Sequence, residues 1–152
     1  MNRREILLTS GGFFAALGAS STAKSADPAV VESAKAVIRD HELKAQGGKL
    51  DEIVSNISEE IVLFAPGAEL VQGIESFRAF YQSFLEMGEW KFQHDYSGHD
   101  VQGEAVIVYG VARGTLTAPD TEPAPFANNF LLVLRPENGR FKIWRGAFAP
   151  NA

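Results

Sequence analysis

The hydrophobic period of this chain changes once, near Glu89, and that switch limits the folds available to it. Upstream, Val30, Ala34, Val37, Ile38, His41 and Ala45 recur at helical spacing. Phe77, Phe80, Tyr81, Phe84 and Leu85 repeat that pattern in a second stretch running through Met87. Downstream, period-two alternation predicts strands at 90–101, 105–117, 126–135 and 140–148. Helices followed by consecutive strands with short turns imply an α+β domain, its helices packed on an antiparallel sheet.

Local signals set the boundaries. Asp27-Pro28 reads as an N-cap followed by proline at the first helical position, and Gly47-Gly48 ends that helix. A shorter second helix starts at Lys49-Leu50-Asp51, and Ile61–Gly67 reads as a strand closed by a Pro-Gly turn, before the third helix. Gln102-Gly103-Glu104 and Glu137-Asn138-Gly139 supply hairpin turns, and TAPDTEPAP (117–125) is a proline-rich loop. AVIVYGVA (105–112) and FLLVL (130–134) are apolar on both faces, more than three helices on one side require. The outer face therefore calls for a cover, most simply a homodimer.

Residues 1–26 read as an export signal rather than as fold: Arg3 and Arg4, then a Gly-rich apolar run of 14 residues from Ile6 to Ala19, then small residues. That run is shorter than the roughly 18–20 apolar residues of a stable membrane span. Asn2-Arg3-Arg4-Glu5-Ile6-Leu7-Leu8 is similar to the twin-arginine signal, with an ordinary secretory signal as the alternative. Both routes lead out of a bacterial cytoplasm, to the periplasm or beyond. Cleavage after Ala23, Ser25 or Ala26 would leave a domain beginning near Asp27, whose 11 basic and 18 acidic groups give a net charge of −7. Such a domain is a poor nucleic-acid binder. Residues 27–152 suffice for one domain, and the absence of cysteine removes disulfide and thiolate chemistry.

The order Gly48-Lys49-Leu50-Asp51, Val62-Leu63-Phe64, Pro66-Gly67 and Gly73-Ile74-Glu75-Ser76-Phe77, closing with GRFKIWRGAF (139–148), resembles the nuclear transport factor 2-like superfamily, especially its SnoaL-like members. The resemblance covers nearly all of residues 27–152. It implies three helices packed on a curved antiparallel sheet that forms a cone-shaped pocket. The superfamily includes isomerases, dehydratases, transport factors and assembly domains, so fold alone does not choose a reaction. Counting back seven from Gly48, His41 falls where ketosteroid isomerase has its oxyanion-donating tyrosine. That enzyme's base aspartate corresponds to about Phe64, which accepts no proton, and its second donor to Asn128 or Asn129.

The residues themselves suggest a different proton chemistry. His41 interrupts an apolar helical face and should point inward, either as an acid or base or as a histidine satisfied by a backbone carbonyl. In QHDYSGHD (93–100), strand alternation puts Trp90, Phe92, His94 and Tyr96 on one face. His99 falls opposite unless a bulge at Ser97-Gly98 resets the register, and a metal site would need that bulge and a third ligand, so no metal is expected. The expected catalytic set is His41, His94 and Tyr96, with Phe64, Tyr81, Trp90, Tyr109, Asn128 and Trp144 as ligand-binding lining. Two imidazoles and a phenol suit a cofactor-independent lyase or isomerase acting on a small apolar or aromatic molecule. The rival readings are a non-catalytic ligand carrier and a structural dimerisation domain.

Overall fold

The computed structural model describes residues 27–151, and the export segment read at 1–26 lies outside them. Helix α1 (Pro28–Gly47) begins where expected: the Asp27 carboxylate accepts the Ala29 amide at 3.0 Å, and Pro28 fills the first helical position. It ends at Gly48, which takes the left-handed conformation at φ 69°. Its buried stripe is Val31, Ala34, Ile38, His41 and Ala45, so Val31 and not Val30 carries the first turn inward. Helices α2 (Leu50–Val54) and α3 (Ile74–Glu86) follow as the sequence predicts.

Six strands form one sheet: β1 (Ile57–Phe64), β2 (Val71–Gln72), β3 (Glu89–Gln102), β4 (Ala105–Thr117), β5 (Ala124–Glu137) and β6 (Arg140–Pro150). Their spatial order is β2-β1-β6-β5-β4-β3. All neighbouring pairs are antiparallel except β1 and β6, which run parallel, making the sheet mixed. Strand β1 starts at Ile57, four residues before the expected Ile61. Ile57 pairs with Ile143, and both Ile57 and Ser58 are buried although the local sequence Ser-Glu-Glu is polar. The β5–β6 hairpin turns through Asn138 (φ 52°) and Gly139 (φ 79°), the paired positive angles that suit the twist of a two-residue hairpin.

Register assigns the faces. Val106, Val108 and Ala112 of β4 oppose Leu134, Leu132 and Asn128 of β5, and the valines and leucines are buried beneath the helices with Ile38, Ile53 and Ile61. The alternate residues point outward. In one row, Phe64 of β1 opposes Ala147 of β6, Ala147 opposes Leu131 of β5, Leu131 opposes Tyr109 of β4, and Tyr109 opposes Gly98 of β3. Tyr109 packs over Gly98, where a Cβ would collide with the phenol. Among the described residues no helix is long and apolar enough to cross a membrane.

Candidate functional site

Between α3 and the inner sheet face lies a cavity of about 760 Å³. Phe80 and Phe84 of α3, with Met87 at its C-cap, form one wall; Leu63, Phe92, Leu116, Phe126 and Phe148 of the sheet form the other. Trp90 stacks on Phe84 with ring centroids 3.8 Å apart and donates its indole N–H to the Phe84 carbonyl at 2.7 Å. The side chains with polar groups on this lining are Tyr81, Ser83, Trp90, His94 and Asn128.

His94 is the chemically distinctive member. Glu42 of α1 reaches across to β3, where one carboxylate oxygen accepts the His94 backbone N–H at 2.7 Å and lies 2.6 Å from its Nδ1. An oxygen that accepts both groups holds the ring proton on Nδ1 and leaves the Nε2 lone pair free. Nε2 is buried and has no partner among the described residues, and the His94 side chain is only 3% exposed. A buried imidazole that is oriented by a carboxylate, lines an apolar cavity and keeps one nitrogen unused is suited to accept a proton. Phe130 meets its ring edge-on at 4.6 Å and fixes its plane.

Beside it, the Tyr81 hydroxyl lies 3.2 Å from Nε2 of His41, and both residues are buried. Burial, then the neighbouring His94, depresses the His41 imidazole to about 4 and keeps it neutral near pH 7. Burial raises the Tyr81 phenol, which therefore stays protonated as a donor. His41 does not line the cavity; it stands behind Tyr81. Asn128 shares a sheet row with His94 through Ala112, two strand spacings or about 10 Å away. The small Ala112 side chain leaves the space between them open.

The other expected residues lie elsewhere. Tyr96 follows His94 along the same face but sits under α1, its ring 5.0 Å from Lys35 Nζ, and burial together with Glu42 raises it to about 12. Phe64 and Tyr109 occupy the outer row, 59% and 38% exposed. Trp144 is held between the guanidinium groups of Arg135 and Arg145, at 4.4 and 3.9 Å, outside the cavity. Their aromatic character signalled contact without saying which face provides it. The bulge does occur between Tyr96 and Gly98, and it sets His99 opposite Val108; His99 is exposed there. No group of three or more His, Cys, Asp or Glu side chains among the described residues could hold a metal ion.

Sequence reasoning missed Glu42, yet a signal was present. Glu42 stands four residues after Ile38 and three before Ala45, both buried, so it lies on the flank of the inward stripe.

The SnoaL-like domain family matches residues 42–145. No curated protein matches the chain by sequence. Among solved structures, a ketosteroid isomerase-like protein from Erwinia carotovora atroseptica is similar with a TM-score of 0.73 at 16% identity, over 83% of this chain and 99% of that one. A scytalone dehydratase candidate from Novosphingobium aromaticivorans gives 0.72 at 9% identity, over 80% and 83%. An NTF-2 like protein of unknown function from Shewanella oneidensis gives 0.61 at 17%, over 77% and 96%. At these identities the structural likenesses establish the fold alone. With residues 42–145 matched by the family and the helix-on-sheet cone present, this chain belongs to the SnoaL-like domain family.

Proposed function

We propose that this is an exported, cofactor-independent lyase or isomerase acting on a small apolar molecule that carries a carbonyl or hydroxyl group. The observation that carries the reading is the Glu42–His94 pair on the lining of an apolar cavity, with Nε2 unpartnered among the described residues. His94 removes a proton from carbon next to the ligand carbonyl, and Tyr81, backed by His41, donates to the carbonyl oxygen. Returning the proton to a second carbon completes an isomerisation. Alternatively the electron pair expels a β-hydroxyl, which takes the proton held by His94 and leaves as water, completing a dehydration. Relative to the expected set, His94 keeps its role as base, Tyr81 takes the acid's place, and His41 becomes a positioning residue. Export is supported by Arg3, Arg4 and the short apolar run at Ile6–Ala19. The exposed row of Phe64, Leu131 and Tyr109 supports a homodimer through the outer sheet face.

The test is deuterium exchange at the α-carbons of 2-tetralone in D₂O, followed by NMR. The wild-type protein is expected to accelerate exchange over buffer. His94→Gln and Glu42→Gln should each lose about 100-fold or more, with 2-tetralone affinity little changed. Binding without exchange would leave the carrier reading in place; absence of binding would remove both readings for this ligand class.

A further inference from the structure

We propose that the cavity takes a hydrophobic organic cation, whose apolar body fills the aromatic slot and whose protonated amine or quaternary ammonium sits at the mouth. This rests on the cavity being the ligand site, as the proposed function holds, and adds the charge of the ligand. Among the described residues no lysine, arginine, aspartate or glutamate lines the cavity. Burial runs in one direction along it: His94 and Tyr81 are buried, whereas Pro66, Gly67, Met87, Ala124 and Pro125 are exposed and mark the mouth.

Three segments build that mouth, 65–70, 86–91 and 117–125. They carry five carboxylates, Glu69, Glu86, Glu89, Asp120 and Glu122, against one cation, Lys91. Lys91 is paired with Glu89 at 3.0 Å, and Glu86 accepts from Gln82 at 2.9 Å. Arg113, beside Phe126, is paired with Asp95 at 3.4 Å. The collar therefore carries a net negative field over an apolar hole, which raises the local concentration of cations and repels anions. At the inner end, the carboxylate of Glu42 stands behind His94, which lines the cavity and whose Nε2 has no partner among the described residues. Neither end places a lysine or arginine on the lining to pair with a carboxylate or phosphate.

The walls add a second attraction. Trp90, stacked on Phe84, meets Phe126 edge-on, with ring centroids 5.4 Å apart at 73°. Aromatic faces lining an apolar slot attract alkylammonium groups through the ring quadrupole.

Three probes with one body separate these effects: (2-naphthylmethyl)trimethylammonium, 2-naphthalenemethanol and 2-naphthylacetate, titrated by calorimetry at low and physiological ionic strength. The cation should bind about tenfold or more tighter than the anion, and tighter than the alcohol by a margin that shrinks with salt. Glu69→Gln/Asp120→Asn/Glu122→Gln should abolish that margin and leave the alcohol's affinity unchanged. Asparagine is compatible with the φ of 59° at position 120, so this variant keeps the turn. A cation that binds no tighter than the alcohol, a preference that survives the triple substitution, or no binding of any probe overturns the inference. The same titrations on His94→Gln keep the two proposals apart: tetralone exchange retained in that variant with the charge order intact removes only the catalytic reading, and exchange lost with the charge order absent removes only this inference.

Discussion

Glu42 and His41 are adjacent on one helix and do opposite things. A turn of about 100° per residue sends His41 into the core beside Tyr81 and Glu42 across to β3. His41 was legible because an ionisable residue stood inside an apolar stripe; Glu42 was not read because a glutamate on a stripe's edge is ordinarily solvated. The buried imidazole has a measurable cost. Folded His41 is held at about 4, below the ordinary histidine value of 6.5, so as pH falls from 6.5 towards 4 the unfolded chain binds a proton that the folded chain does not. Its contribution is fully present above pH 6.5 and shrinks through that window, by up to about 3 kcal/mol. Urea unfolding at pH 7 and pH 4.5 should show this loss in the wild type and a flatter dependence in His41→Phe.

Among the elements, what the sequence revealed was local and what it hid was not. Asp27 and Gly48 mark the ends of α1, and Asn138-Gly139 turns the last hairpin, because each acts on backbone within a few residues of itself. The start of β1 at Ile57 is set by pairing with Ile143, far along the chain, and no nearby residue announces it. Trp90 and Asn128 could be assigned to the cavity, whereas Phe64, Tyr109 and Trp144 could not be kept out of it, since strand alternation alone does not say which face the helices cover. Strand β4 has a further constraint at Gly110, where a Cβ would collide with the Asp95 carbonyl oxygen on β3. Gly110→Ala should open the ladder near His94 and destabilise the fold by about 2 kcal/mol or more, read as a lower urea midpoint with an unchanged slope.

At the scale of the whole molecule, two apolar surfaces compete for attention, one enclosed by α3 and one open on the outer sheet. If the outer row of Phe64, Leu131 and Tyr109 buries itself against a second copy, Leu131→Glu should give a monomer in sedimentation while retaining 2-tetralone binding. A wild-type monomer at micromolar concentration would remove the dimer proposal. The position of β6 bears on how the molecule comes to exist. It is the sixth strand in chain order but an interior strand of the sheet, and β1, with only the two residues of β2 on its other side, waits for it. A nascent chain that has emerged only as far as β5 therefore holds an unzipped sheet, with Leu63 and Leu132 facing no neighbour across the missing strand. Folding is a closing event rather than a growing one, and a chaperone or protease meets an open form until Arg140–Pro150 is in place.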